Sequence, residues 1–310
     1  MDMLVNRMGG IVSKMAISKY ERGIISPSEQ ILGRIAMACG VDIDFFQRQH
    51  VDMGKISFRF FEDNPSEVAS SVMQQIQILL DEYVEAEDLA GGRIRFNNPL
   101  DNSKVCTIAD VDVTVAKLRN EWQLGIQPIV SVYEMLNLHG VRVLEFFYEN
   151  DNVNGLSLYV DGNIPFVLIN TFSNKTVERK RFTALHELGH LLLDNKVDVE
   201  EGNGKQVEKF ANHFSGAMLL PPEVAINRIG EHREEITLSE LISIKNLYGI
   251  SIAALNYRLY ALNIITYDYR NHIFNNIIHP NRMEKGWGGF PIPETADRLT
   301  LMEERLKLVN

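Results

Sequence analysis

The stretch RFTALHELGHLLL, residues 181–193, determines how the rest of the chain is interpreted. It has no proline and is rich in leucine, so it predicts a single apolar helix. Positions i and i+4 lie on one face of a helix, so His186 and His190 point the same way. Two such imidazoles form half of a zinc site, and Glu187 beside them can act as a base on water. A chance match is disfavoured, because a buried His or Glu needs a partner.

A third metal ligand is expected on the next predicted helix, residues 207–219. Glu208 lies one turn before Asn212 on that helix, so both side chains can face the same neighbour. We predict Glu208 as the third zinc ligand. We predict that Asn212 accepts the free ring N–H of one zinc-bound histidine.

Other residues near the site leave alternatives open. His213 is either a further ligand or a group that stabilises an oxyanion, but its place about 100° around the helix from Asn212 favours a packing role. Tyr257 and Tyr260 are the other candidates for an oxyanion donor. The carboxylates between the two helices are expected to be solvated: Asp194, Asp198, Glu200 and Glu201.

Composition limits the class of protein. The 310 residues are 45% hydrophobic and 23% charged, as in ordinary globular proteins, and long enough for two or three domains. The two cysteines, Cys39 and Cys106, are far apart and lack metal-ligand spacing, which suits a reducing cytoplasm. The sequence has no 18-residue apolar run and no signal-peptide pattern, so we expect a cytoplasmic protein without a membrane anchor. The net charge of -10 disfavours a protein coated in nucleic acid.

The first 50 residues predict a compact helical unit. Ser13 is a good N-cap for a helix that Gly23 ends, and Pro27-Ser28 opens another helix that ends at Gly40. Three segments carry a resemblance: MGGIVSKMAISKYERG (residues 8–23), Pro27-Ser28, and LGRIAMACGV (residues 32–41). They resemble the helix-turn-helix of XRE-type transcription regulators.

That resemblance implies a recognition helix over residues 13–21 that reads the major groove of DNA. The residues implied to face the groove are Ser13, Lys14, Met15, Ser18 and Lys19. Such domains normally have one more helix before Leu4, so we expect either that the start codon is misassigned or that the domain is truncated and weakened. Residues 1–23 hold four basic and two acidic side chains, so the positive charge available for DNA is small. The alternative is a helical interaction module that does not contact DNA.

The remaining pattern predicts a mainly helical α+β chain. Residues 51–109 are expected to connect the two domains, and they contain a long amphipathic helix at residues 66–89. We expect this helix to act as a connector or as the seam of a homodimer. An aromatic cluster of Phe58, Phe60 and Phe61 precedes it. Residues 110–230 are expected to form a zincin-like metallopeptidase domain. In it, β-branched runs at 141–147, 155–159 and 165–170 predict a small antiparallel sheet before the histidine helix. Residues 231–310 are expected to be a helical C-terminal region.

A second resemblance covers about residues 110–300. The stretch 181–193, followed by EKFANHFSGAMLLP (residues 208–221), resembles the ImmA/IrrE family of metallopeptidases. Small departures at Ala184-Leu185 and at Ser215-Gly216 leave the metal chemistry unchanged. The resemblance implies a zinc-dependent endopeptidase that cleaves a regulatory protein, such as a repressor, in a stress or mobile-element response. The alternative is an XRE-type regulator or an antitoxin of a toxin–antitoxin pair whose metal site is structural or vestigial.

Overall fold

The computed structural model describes residues 1–46, 50–54, 66–91, 93–100, 103–193, 204–298 and 302. It divides into two compact units, Met1–His50 and Val51–Asn310, and each is described by itself. The aromatic residues Phe58, Phe60 and Phe61 lie outside the described residues. So do the four carboxylates expected to be solvated, Asp194, Asp198, Glu200 and Glu201.

The first unit is a small helical bundle. It contains α1 (Asp2–Arg7), α2 (Lys14–Glu21), α3 (Glu29–Cys39) and a 3-10 turn, Ile43–Phe46. The predicted cap is confirmed, since the Ser13 hydroxyl accepts a hydrogen bond of 3.1 Å from the Ala16 N–H. Gly40 ends α3 in the left-handed conformation, at φ 75°. The core is formed by Met8, Val12, Ile17 and Ile35.

The second unit begins with the helices α4 (Ser66–Leu89), α5 (Ile108–Glu121) and α6 (Val132–Leu138). The strands β1 (Arg142–Phe146), β2 (Gly155–Val160) and β3 (Ile164–Asn170) follow. After them come α7 (Val177–Leu193), α8 (Gly204–Leu219), α9 (Pro222–Ile229), α10 (Leu238–Tyr248), α11 (Ile252–Ala261) and α12 (Tyr267–Ile273). A π-helical turn, Phe274–Ile278, continues α12. The prediction of a mainly helical α+β fold is confirmed.

The sheet is mixed, so the prediction of an antiparallel sheet was wrong for one of its two strand pairs. The strand order is β1-β3-β2, with β3 parallel to β1 and antiparallel to β2. The buried Asn170 lies at the end of β3. Its amide donates to the carbonyls of Tyr148 and Val153, both at 2.8 Å, and holds the β1–β2 connection across the sheet. β3 returns between β1 and β2. Alternation within strands does not reveal which strands pair.

The long helix α4 packs against one face of the sheet. Ile76, Leu80 and Tyr83 are fully buried there, and the Tyr83 ring meets the Phe166 ring edge-on at 5.4 Å. The apolar face that the sequence assigned to a connector or a dimer seam is thus used inside the chain. Sequence periodicity shows that a helix has an apolar face but does not show what covers it.

The other face of the sheet contributes to a larger hydrophobic core. That core contains side chains from α5 to α12, so the segments predicted as separate peptidase and C-terminal regions share one core. The four-segment division of the chain stays a prediction. No single helix in the described ranges is long and apolar enough to cross a membrane, and the one helix pair that passes this test together, α10 with α11, is bent by 101°.

Candidate metal centre

Helix α7 is placed by a polar turn that joins it to the sheet. The Thr183 hydroxyl donates to Asn174 Oδ1 at 2.7 Å, and the Asn174 amide donates to the Asn170 carbonyl at 2.8 Å. Both asparagines are buried, so these bonds satisfy groups that would be costly to leave unpaired. The start of α7 is thereby fixed to the end of β3.

Helix α8 lies close against α7 because of a glycine. A Cβ atom added at Gly189 would lie 3.3 Å from the Ala211 Cα, closer than ordinary packing allows. Gly189 sits one residue before His190, and Ala211 lies three residues after Glu208. The close approach of the two helices therefore brings the α8 carboxylate to the α7 histidines.

The three predicted ligands come together. His186 Nε2 and His190 Nε2 lie 3.0 Å apart. Glu208 Oε2 lies 3.3 Å from His186 Nε2, and Glu208 Oε1 lies 3.4 Å from His190 Nε2. One donor atom from each residue falls within 4.8 Å of the other two. Two imidazoles and a carboxylate, converging in this way, can hold a metal ion.

The two histidines favour the ionised form of the Glu208 carboxyl. Burial alone raises the pKa of its carboxyl, but the hydrogen bonds and charges of His186 and His190 outweigh burial and hold the pKa well below its usual range. The Glu208 side chain is 42% exposed, so the group opens to solvent. A carboxylate in this place is ionised and available as a ligand.

Glu187 is held beside the group by a residue of the sheet. It is 8% exposed, and its Oε2 accepts a 3.0 Å hydrogen bond from the Ser157 hydroxyl on β2. Gly155, on the same strand, permits this contact: a Cβ atom there would lie 3.3 Å from Glu187 Cγ and 2.8 Å from the Leu168 carbonyl oxygen. Sequence reasoning missed Ser157. The available signal was a hydroxyl between Leu156 and Leu158 in a predicted strand.

The group opens into a cavity of about 1020 Å³. His186, Glu187, His190, Glu208 and Asn212 all line it, together with the beginning of β2. A space of this size accommodates several residues of a peptide or a comparable ligand. The three candidate ligands and the base candidate thus line one cavity.

The other sequence candidates lie elsewhere or make no contact. Asn212 is exposed at the cavity wall, and in the described part of the chain no hydrogen bond joins its amide to His186 or His190. His213 is buried on another face of α8, with its Nε2 2.9 Å from Asp112 Oδ2. Tyr257 and Tyr260 pack around Arg270, at 5.7 and 5.4 Å from ring centroid to Cζ. None of the last three lines the cavity. The role of Asn212 stays a prediction.

The five residues implied to face DNA lie in the first unit. Ser13, Lys14 and Met15 are exposed, while Ser18 and Lys19 are half-buried. Ser13 accepts from the Ala16 N–H as a helix cap, so its hydroxyl also has a structural task. The arrangement places these residues on α2 and its N-cap but does not establish a DNA contact.

Comparison with known families agrees with both resemblances. Residues 137–260 match the Peptidase_M78 family model, described as an IrrE N-terminal-like domain. Residues 6–46 match the HTH_3 model, described as helix-turn-helix. No curated protein matches the chain. The chain therefore carries a metallopeptidase-like domain behind an N-terminal helix-turn-helix domain of the kind that binds DNA.

Proposed function

We propose that this protein is a zinc-dependent endopeptidase of the ImmA/IrrE type, coupled to a DNA-binding domain. Its proposed substrate is a regulatory protein such as a repressor, cleaved in a stress or mobile-element response. One observation carries the proposal: His186, His190 and Glu208 converge at a cavity, inside the residues that match the peptidase family, with Glu187 beside them.

The donor set fits zinc. Two neutral imidazole nitrogens and one carboxylate are the protein ligands of many catalytic zinc sites, which keep a further position for water or substrate. When bound, the metal supplies a Lewis acid that polarises a carbonyl and lowers the pKa of water to about 7. The exposed edge of Glu208 favours this open kind of site over a closed structural one.

Glu187 is the proposed general base. Its Oε2 is occupied by the Ser157 hydroxyl, which leaves the second carboxylate oxygen to take a proton from the attacking water. The same carboxyl then delivers that proton to the leaving amine nitrogen. Because the Ser157 bond fixes the direction of the carboxylate, little reorganisation is required when the proton moves.

The substrate is proposed to bind as an extended peptide. In the described residues β2 pairs only with β3, so the other edge of β2 has no partner strand there. Residues 155–157 of β2 line the cavity. An unpaired edge of this kind can add a further strand through main-chain hydrogen bonds. At the far end of β2, the Asp161 N–H already donates to the Asp52 carbonyl at 2.8 Å. Within the described ranges, the part of this edge without a partner strand is therefore next to Glu187.

The test is the substitution Glu187→Gln in the full chain. We expect zinc content to stay near one equivalent, and cleavage of a proteome-derived peptide library to fall by about 100-fold or more, since the amide cannot accept the proton. Cut sites are read by mass spectrometry and zinc by elemental analysis. Cleavage by the variant at the wild-type rate, or a wild-type protein that holds less than about half an equivalent of zinc, would contradict the proposal.

A further inference from the structure

The C-terminal strap, residues 282–294, forms one wall of the same cavity. It begins after the residues that match the peptidase family end. Arg282, Met283, Glu284 and Gly288 of the strap line the cavity together with residues of the histidine helix. The wall that faces a bound substrate is thus built partly from residues outside the matched domain.

The strap is fixed at its beginning by Glu284. Its Oε1 accepts from the Ile252 N–H at 2.7 Å, at the start of α11. Its Oε2 lies 3.3 Å from the ammonium nitrogen of Lys245, which is almost fully buried. Lys245 also pairs with Glu178 of α7. A buried ammonium requires such partners, so the first residues of the strap are held against the cavity.

The far end of the strap is fixed by Glu294. Its Oε1 lies 2.6 Å from Arg181 Nη1, and both side chains are fully buried. The same carboxylate accepts from the Val132 and Tyr133 N–H groups, at 2.8 and 2.9 Å, at the start of α6. The Phe290 ring stacks on Arg181, with Cζ 4.2 Å from the ring centroid. With both ends held, the strap has a defined position at the cavity.

The cavity lining includes exposed cations, although the chain as a whole carries a net charge of -10. Three exposed cations line it: Lys175, Arg179 and Arg282. The carboxylates that line it are mostly engaged, since Glu178 and Glu284 pair with Lys245, Glu187 accepts from Ser157, and Glu208 lies between the histidines. Asp151 and Glu208 are the carboxylates of the described lining that open to solvent.

Arg282 differs from the other two cations. Arg179 Nη2 already donates to Asn154 Oδ1 at 2.8 Å, and the Lys175 ammonium lies over the Phe172 ring at 4.7 Å. Within the described ranges, no hydrogen bond or ion pair engages the Arg282 guanidinium. An arginine presents a planar set of donors that matches a carboxylate in two parallel bonds.

We propose that the C-terminal strap makes this site select peptides with an acidic side chain close to the scissile bond, and that Arg282 binds that carboxylate. The inference rests on the proposed peptidase function and adds its substrate class. Lys175 and Arg179 are two further exposed cations of the lining that an acidic segment would meet.

The test uses the full chain and the peptide library, followed by single peptides that carry Glu, Gln or Lys at the preferred position. We expect wild-type cleavage sites to be enriched in Asp or Glu on one side of the bond. In Arg282→Glu, kcat/KM for the Glu peptide should fall roughly five- to tenfold, mainly through KM, while kcat/KM for the Gln peptide changes little. The Lys peptide should be cut faster than by the wild type.

The matched control is Arg228→Glu. Arg228 is an exposed arginine of α9 that does not line the cavity, so the substitution changes the net charge equally. We expect this variant to keep the wild-type preference. A wild-type protein that cuts without acidic enrichment, or equal effects of the two substitutions, overturns the inference and leaves the peptidase function standing. A wild-type protein that cuts no peptide overturns both.

Discussion

A single hydroxyl directs the carboxylate proposed as the base. Ser157 lies on β2 and Glu187 on α7, so their 3.0 Å bond joins the sheet to the histidine helix. The spacing of residues 186–190 was enough to predict Glu187, because a helix fixes neighbours three and four positions apart. It could not predict Ser157, since the register between a strand and a distant helix is not encoded locally. The candidate base, Glu187, was therefore predictable from the sequence, whereas Ser157, the residue that orients it, was not.

The stability contributed by a second group of residues, around Asp112, depends on pH. Asp112 of α5 lies between His213 of α8 and Arg258 of α11, with Oδ1 2.8 Å from Arg258 Nη2. Burial alone raises the pKa of the Asp112 carboxyl, but the His213 hydrogen bond and the Arg258 charge outweigh burial and hold it below its usual value. A carboxyl whose pKa is lowered by folding stabilises the fold at pH values above its pKa in the unfolded chain, about 3.9. That stability is lost as pH falls through the folded pKa.

We therefore predict that Asp112→Asn lowers the free energy of unfolding at pH 7 by about 2 kcal/mol, because Arg258 loses its charge partner. As the pH falls through the folded pKa of Asp112, the difference from the wild type should shrink. Denaturant unfolding at a series of pH values measures both effects. Asp88→Asn is the control, since its pair with Arg93 is exposed and should contribute less than about 0.5 kcal/mol. A difference that stays constant down to low pH would contradict the assignment.

At the scale of elements, α10 ends where it must pass a buried side chain. Gly249 has φ 63°, and a Cβ atom there would collide with the Arg181 guanidinium. Arg181 also donates to the Ile129 carbonyl at 2.7 Å, so it has little room to move. We predict that Gly249→Ala lowers the free energy of unfolding by about 2–4 kcal/mol, through overpacking added to backbone strain.

Gly125→Ala separates these two causes. Gly125 has a similar φ, 54°, but a Cβ atom there would have nothing within 4 Å. Only strain should act, so we expect a loss of about 1 kcal/mol. Thermal unfolding of both variants supplies the comparison. Equal losses would mean that the Arg181 contact contributes nothing.

The helices were predictable to within a few residues, because their ends carry local signals. Ser13, Gly40 and the Thr107 cap of α5 act on their own turn, so the sequence nearby is sufficient. The parallel pairing of β1 with β3 was not predictable, because strand pairing depends on contacts between distant residues, such as those of Asn170 with residues about 20 positions away. Likewise, nothing near Arg181 indicates that its carboxylate partner is Glu294. Local pattern specifies elements, while long-range polar contacts specify how they are assembled.

At the scale of the whole molecule, the two compact units predict two separable activities. We predict that Lys14→Ala combined with Lys19→Ala in the full chain weakens binding to the DNA upstream of its gene about tenfold at low salt. The slope of log K against log salt concentration should become shallower by about two, because each lysine that contacts a phosphate releases roughly one counterion. Cleavage by the second unit should be unchanged.

Mobility shifts at several salt concentrations measure the DNA effect, and the peptide library measures cleavage. Lys117→Ala with Arg228→Ala is the control, since it removes the same charge from the second unit. If the wild type shifts no DNA at low salt, the helix-turn-helix has another role, such as protein interaction.

The C-terminal strap also has a consequence for the order of folding during synthesis. Arg181 leaves the ribosome 113 residues ahead of Glu294, the carboxylate that neutralises it inside the core. Lys245 similarly precedes Glu284. Until those residues emerge, two cations destined for the interior have incomplete partners, and burying them is unfavourable. We therefore expect the core around Arg181 and Lys245 to close only after Glu284 and Glu294 have emerged from the ribosome.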